Sequence, residues 1–312
     1  MFQLFKQRDF GEYISETFQF FRQTGKHYLK NYFTICGILL MLLSVLTYFL
    51  FQVYFDFFLN VGRINNNLDF VQNFAENNSV LIVLGGVFIF LFIVLLSMLT
   101  YSIPVIYMDL YAKKSGSNFG TKEILLKFKA EFGRILLFFL GLIFIVTPFL
   151  MIIFVLLVLL CFILIGIPLL LFAIPTAVSW ISLSFYEYLN HKKNFFSALG
   201  AGFGHVKAQY FPNIGSLMVM YMIVQIGMSV FTIFPYAFGM ASIVTSSQND
   251  AAPEDSLSTV KIMLTIVMVV SMLMSYILNN LLLVHQGLVY YSSIENNENI
   301  SSKDSIDLIG SE

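Results

Sequence analysis

The sequence predicts an all-α integral membrane protein with six transmembrane helices, built as three repeats of an interfacial amphipathic helix plus a helical hairpin. Three observations carry this: a composition too poor in charge for water, apolar runs of bilayer length, and a one-sided distribution of Lys and Arg. Of 312 residues 11% are charged and 58% hydrophobic, with 35 Phe. A water-soluble domain carries roughly 25% charged residues, so the solvent expected for most of this surface is lipid.

A bilayer core of about 30 Å needs roughly 20 apolar residues in a helix. The spans are predicted at 33–59, 80–108, 137–160, 169–189, 214–239 and 260–284. The third and fourth come from one apolar region, Ile135 to Leu189, with Glu187 as its only charge. A single helix of that length would measure about 80 Å, too long for one crossing. Gly166-Ile167-Pro168 interrupts it, which makes it a hairpin. About thirty mostly polar residues precede the first run, so that run is expected to act as an uncleaved insertion signal.

Orientation follows from the basic residues near the span ends. Fifteen of the seventeen Lys and Arg fall on one side under this topology, and only Arg63 and Lys261 on the other. Both termini are therefore expected in the cytoplasm, and the location expected is a bacterial inner membrane. The outer segments agree: Asn60 to Ser79 is rich in Asn, and the stretch near 250 carries Asp250, Glu254 and Asp255. Residues 1–293 are predicted to form a single membrane domain. The segment 294–312 lacks aromatics and is Ser-, Asn- and acid-rich, which predicts a disordered acidic tail.

Each odd-numbered span is preceded by an amphipathic segment, at about 9–24, 121–134 and 194–208. In the first, Phe10, Tyr13, Ile14, Thr17, Phe18 and Phe21 share one helical face, and Gly25 is expected to end the helix. In the second, Thr121 is the expected N-cap and Glu123 lies in the first turn, with Ile124, Leu125, Phe128, Phe132 and Ile135 on one face. The third carries Phe195, Phe196, Leu199, Phe203, Val206 and Tyr210, but Gly200, Gly202 and Gly204 weaken it. Such helices are expected in the interface plane, apolar face toward lipid. The exits of the even spans are also alike: Tyr107-Met108-Asp109 ends at Lys113-Lys114, Tyr186-Glu187 ends at Lys192-Lys193, and Tyr290-Tyr291 follows the sixth span.

This plan resembles a broad group of bacterial membrane proteins related to the membrane domain of glycerophosphoryl diester phosphodiesterases. The resemblance is carried by Phe18-Gln19-Phe20-Phe21 with Lys30-Asn31-Tyr32-Phe33 and by the two exits ending in Lys113-Lys114 and Lys192-Lys193, and it covers 9–293. The phosphodiesterase chemistry of that family sits in a separate soluble domain, so the resemblance implies a membrane module and carries over no catalytic residue.

No P-loop, nucleophile elbow, zinc-protease motif or dinucleotide fingerprint occurs. His27, His191, His205 and His285 each stand alone on their segment, whereas metal sites need several His at close helical spacing; no catalytic residue, cofactor or metal site is predicted. Ionisable groups at membrane depth are functional candidates. Asp109 and Glu187 qualify near span ends, either as ligands for a cation or lipid headgroup or as partners of the neighbouring lysines. Gln225, Asn279 and Asn280 are expected to be interhelical hydrogen-bond partners. Thr176, Ser179 and Ser182 form a small hydroxylated stripe suited to close helix approach.

The expected function is that of a non-enzymatic scaffold or subunit of a membrane complex. A lipid or small-molecule transporter using Asp109, Glu187, Gln225, Asn279 and Asn280 is the alternative, and a membrane-embedded metal-dependent oxygenase the second alternative. The partners expected are membrane lipids, with other membrane subunits or a homo-oligomer beside them. The basic residues are interface anchors, and nucleic acid is not an expected partner.

Overall fold

The computed structural model describes residues 2–63, 67–248 and 253–298; at 56–63, 67–78, 81–82, 234–235, 238–239, 242–248, 253–259 and 298 only the backbone is described. The described chain is helical, in the order α1 (Phe10–Arg63), α2 (Asn67–Lys113), α3 (Thr121–Gly141), a π-helical turn (Leu142–Val146), α4 (Thr147–Cys161), α5 (Gly166–Asn190), α6 (Phe195–Ala208), α7 (Tyr210–Gln248) and α8 (Pro253–Glu298). Among the described residues, six stretches are long and apolar enough to cross a bilayer: Phe10–Phe55, Val83–Lys113, Thr121–Cys161, Gly166–Asn190, Tyr210–Ile233 and Val260–Asn297.

The start of α1 is set by a reciprocal capping box. Asp9 Oδ1 accepts from the Glu12 amide at 2.8 Å, and Glu12 Oε2 accepts from the Asp9 amide at 3.1 Å, so two otherwise orphaned donors are satisfied. α1 then continues without a break to Arg63, and Gly25 does not end it. A mid-helix glycine costs only about 1 kcal/mol, and Phe21 packs over this one at close contact distance. The first amphipathic segment and first span are thus one helix.

The same holds for α3, the π turn and α4, which run on from the second amphipathic segment. Pro148 sits in the first turn of α4. It has no N–H for the preceding turn and its ring crowds a carbonyl there, and the π turn is the local adjustment. The N-cap of α3 is Gly120; Thr121 instead donates its hydroxyl to Asn31 Oδ1 at 2.6 Å. Only the third amphipathic segment is a separate helix, α6, parted from α7 at Gln209.

The hairpin turn between α4 and α5 occupies 162–165, where Leu164 adopts a left-handed φ of 63°. A Cβ on Gly166 would strike the Leu157 carbonyl and the Cys161 backbone, so this position is glycine because two backbones meet there. At the other polar segments the structure is more helical than expected. α2 begins at Asn67, within the predicted outer loop, and α8 begins at Pro253, a residue pre-set for a first helical turn. The side chains of Asp69, Glu76, Asp250, Glu254 and Asp255 lie outside the described residues. α8 also runs on through 294–298, with Ile294 and Glu295 buried, because they continue the face of Tyr290 and Tyr291. The remainder of the predicted tail lies outside the described residues.

Where the sequence predicts one membrane domain, the residues group into two compact units. One is Met1–Ile35, Thr100–Val224 and Asn279–Glu312; the other is Cys36–Leu99 and Gln225–Leu278. The long helices α1, α2, α7 and α8 each supply residues to both.

The first unit has the denser interior. On α1 its buried side chains include Tyr13, Thr17, Phe20, Thr24, Tyr28 and Tyr32, while Phe10 and Phe18 of the predicted apolar face are exposed. The first amphipathic segment therefore packs Tyr13, Thr17 and Phe20 on protein and leaves Phe10 and Phe18 outward. Phe20 and Tyr28 meet Tyr107 edge to face at 6.2 and 5.0 Å. α6 packs on α5 through Gly202, where a Cβ would collide with the Ser184 backbone, and Trp180 Nε1 donates to the Leu199 carbonyl at 2.8 Å. α4 has no buried residue.

The second unit presents many large apolar side chains outward, including Ile38, Met41, Phe49, Phe88 and Leu91. Among its described side chains Lys261 is the only charge, and its ammonium lies 6.0 Å from the Phe55 ring. A surface of this kind is stable against hydrocarbon and not against water.

The glycines of α6 give a direct test of the packing. Gly202→Ala is expected to destabilise the protein by about 1–3 kcal/mol through overpacking against α5. A Cβ at position 204 would meet no neighbouring atom within 4 Å, so Gly204→Ala is expected to be neutral or stabilising by up to about 1 kcal/mol. Thermal unfolding of both variants in detergent checks this, and equal behaviour of the two would contradict the packing described.

Candidate functional site

The three similar exits meet at the basic end of the first unit. Tyr186 of α5 stacks on Tyr290 of α8 at 4.9 Å, and the Tyr186 hydroxyl donates to Met108 Sδ of α2 at 3.4 Å. Gly287 lies directly against Met108 and the Tyr186 hydroxyl, leaving no room for a side chain. Sequence similarity among the exits thus coincides with a shared place in the fold.

Asp109 and Glu187 follow these aromatics and are 6% and 2% exposed. Asp109 Oδ2 accepts from Lys113 Nζ one turn on, at 2.9 Å, and also from Lys127 of α3. Glu187 gathers more. Its Oε1 faces His205 Nε2 of α6 at 2.7 Å, while its Oε2 faces Lys193 Nζ at 2.8 Å and His191 Nδ1 at 3.1 Å. His205 Nδ1 reaches Ser293 Oγ of α8 at 2.7 Å, and His191 Nδ1 lies 3.2 Å from the Tyr290 hydroxyl. Charge-assisted hydrogen bonds of this kind are the strong ones.

In the sequence the histidines stand apart; the fold brings two of them to one carboxylate. The i, i+4 spacing of Glu187 and His191 was a usable signal, whereas His205 arrives by tertiary packing of α6. The ring nitrogens that face Glu187 are spent on it, and among the described residues no group of three His, Cys, Asp or Glu is placed to hold a metal ion.

The other two histidines also link helices. His27 Nε2 lies 2.9 Å from the Phe119 carbonyl, which can only accept, so the proton is on Nε2 and Nδ1 accepts from the Tyr107 hydroxyl at 2.9 Å. His285 is fully buried, with Nε2 3.2 Å from Ser216 Oγ and Nδ1 without a partner. Ser179 of the hydroxylated stripe exchanges hydrogen bonds with Asn213 of α7, and Thr176 lies 2.9 Å from the Tyr210 hydroxyl. The stripe therefore binds α5 to α7.

A feature the sequence did not signal is the segment 2–9, which is tied over the same end. The Phe2 amide donates to the Tyr111 hydroxyl at 3.0 Å, and the Arg8 amide donates to Ser292 Oγ at 3.0 Å. The buried Arg8 guanidinium donates to the carbonyls of Gln3 and Leu4 at 2.6 and 2.8 Å and to Glu16 Oε2 at 2.7 Å. Lys6 bonds Glu12 and Glu16, which hold its ammonium above the usual lysine range, Glu12 most. It is a cation throughout the working pH range.

Phe5 of this segment packs edge to face on Tyr291 at 5.1 Å. Between them and the exits of α2 and α5 lies a pocket of about 300 Å³, whose walls include Phe5, Asp109, Lys113, Asn190, His191 and Tyr291, with Tyr290 and Ile294 beside them. Of the five sequence candidates, Asp109 lines the pocket and Glu187 reaches it through His191. Asn280 is buried, accepting from the Tyr28 hydroxyl at 2.6 Å, and Asn279 is half-buried beside it in sequence. Gln225 belongs to the second unit and is exposed. Neither amide of α8 nor Gln225 is among the residues that wall the pocket.

No family model, curated protein or solved structure matches this chain.

Glu187→Gln removes the one anion shared by His205, Lys193 and His191. It is expected to cost about 2–3 kcal/mol, because a buried charged pair is broken from one side while Lys193 retains some access to water. Glu123→Gln breaks an exposed pair with Lys114 and is expected to leave stability unchanged within error. Denaturation of both variants in one detergent makes the comparison, and a Glu187→Gln protein as stable as Glu123→Gln would refute the role assigned to the cluster.

Proposed function

We propose that the chain is a non-enzymatic polytopic membrane protein that acts as a scaffold or subunit of a membrane complex. The observation that carries this reading is the commitment of its acids: Glu12, Glu16, Asp109, Glu123, Glu131 and Glu187 are each paired with a basic side chain of the same chain. Glu12 and Glu16 hold the N-terminal segment, Asp109 also reaches Lys127 of α3 and Glu187 also reaches His205 of α6, a structural use of charge. Acid–base chemistry instead wants a group poised for proton exchange with a substrate.

In this reading the three exits and three amphipathic segments are the repeated unit. The basic end faces the cytoplasm, as fifteen-to-two placement of Lys and Arg supports, and a bacterial inner membrane is the location. α4, with no buried residue, is the helix most available to another membrane subunit or to a second copy. The pocket beside Asp109 favours one other reading, a lipid or small-molecule transporter.

A photo-reactive residue placed in cells at Ile152 or Leu156 of α4 is expected to give a discrete crosslinked species, and one at Lys122 on α3 a different pattern. A strictly monomeric purified protein together with crosslinking only to lipid at both α4 positions would overturn the scaffold reading.

A further inference from the structure

We propose that the pocket at the convergence of the three exits binds a phosphate group, either as the headgroup of an anionic membrane lipid or as a free phosphate. This goes beyond the scaffold reading and does not depend on it.

The first ground is charge. Around the pocket two carboxylates, Asp109 and Glu187, face three lysines, Lys113, Lys127 and Lys193, with His191 beside them. Asp109 lines the wall, and its carboxylate would repel an anion if it stood alone. It is overcompensated, because Lys113 and Lys127 both bind the same oxygen. Lys113, bound to Asp109 and 66% exposed, is the lysine that lines the pocket. Lys127 and Lys193 are less exposed and are also held by the acids.

The second ground is an unused donor. Tyr291 is 3% exposed, lines the pocket, and its hydroxyl has no hydrogen-bond partner. Asn190 lies close enough to bias it, without hydrogen-bonding geometry. Leaving a buried hydroxyl unbonded is unfavourable, and buried polar groups without partners are rare in folded proteins. An oxyanion in the pocket would accept from this hydroxyl. The Asn190 amide and the His191 ring, on the same wall, add donors of the kind that bind phosphate oxygens.

The third ground is the shape of the surroundings. Phe5, Tyr290 and Ile294 give the pocket apolar walls, which lower the local dielectric on that side and strengthen the charged contacts. Phe5 belongs to the segment tied down by Arg8, so the wall that covers the pocket is itself fixed by hydrogen bonds.

The test uses the full chain purified into nanodiscs of phosphatidylcholine, of phosphatidylcholine with phosphatidylglycerol, and of phosphatidylcholine with added inorganic phosphate, with sodium chloride at matched ionic strength as control. Thermal unfolding reads binding, since a ligand that binds only the folded state raises the midpoint. The midpoint is expected to rise with phosphatidylglycerol or with inorganic phosphate and not with sodium chloride. A rise with the lipid alone identifies a headgroup site; a rise with inorganic phosphate identifies a free-phosphate site.

Tyr291→Phe is expected to weaken binding about tenfold or more, the usual worth of a hydrogen bond to a charged group. Because its hydroxyl is unbonded without ligand, the same variant keeps its unliganded midpoint. Lys113→Gln, on an exposed side chain, is expected to fold normally and to weaken binding by a similar factor. The proposal is overturned if neither phosphate source raises the midpoint, if sodium chloride does so equally, or if both variants keep the full ligand-dependent rise.

Discussion

A carboxylate withdrawn from water must find its counter-charges inside the protein, and Glu187 shows what that demands of a fold. One of its oxygens is met by His205 from α6 and the other by Lys193 and His191 from the end of α5. His205 and His191 in turn hold Ser293 and Tyr290 of α8. A single anion thereby fixes where α5, α6 and α8 end relative to one another. The tight contacts nearby follow from it. Once α6 is drawn onto α5, position 202 has no space for a Cβ; once α8 is drawn to α5 and α2, position 287 has none either. These glycines follow from an electrostatic constraint.

The same logic governs the polar side chains on α1. Where hydrocarbon surrounds a bundle, an unsatisfied polar group is costly. Thr17, Thr24 and Thr34 return their hydroxyls to carbonyls four residues earlier on α1, while Tyr13, Tyr28 and His27 reach across to other segments. On α1 the short hydroxyl side chains serve their own helix and the long aromatic ones tie helices together. This division explains why the buried face of α1 is so rich in Tyr. Tyr offers a large apolar body and a polar tip on one side chain, which suits an interior that must be both cohesive and internally hydrogen-bonded.

The six spans were legible in the sequence because span length and the cost of charge in hydrocarbon act on long stretches and tolerate local irregularity. Much of the detail was not. Phe18 and Phe20 are chemically the same, yet one is exposed and the other fully buried. In water a hydrophobic stripe marks the buried face, but against lipid an outward Phe carries no penalty, so hydrophobicity stops discriminating between faces. Hydrogen-bonding capacity would have discriminated: Tyr13, Thr17, Thr24 and Tyr28 trace the buried stripe. Gly25 misled for a related reason, since the cost of one mid-helix glycine is small beside the packing on either side of it. Of the site, Asp109 and Glu187 were found by their depth and Lys113 and Lys193 as neighbours in sequence. His205, Ser293 and the strap at Arg8 were hidden because they reach the site only through long-range contacts, which no local spacing encodes.

The strap at 2–9 bears on how this end of the molecule holds together. Its backbone carbonyls at Gln3 and Leu4 turn inward to the Arg8 guanidinium, so the segment folds around its own arginine. Glu16 on α1 then receives both Arg8 and Lys6. The strap is therefore anchored at one side by α1 and at the other by Tyr111 of α2 and Ser292 of α8. Those are the helices whose exits converge with α5 around Glu187. An arginine suits this post better than a lysine, because several carbonyls and one carboxylate must be met at once in fixed directions, and only the planar fork of a guanidinium presents donors that way. The strap reaches Tyr291 through Phe5, and the Glu187 cluster reaches Tyr290 through His191, so these two neighbouring rings join the two networks.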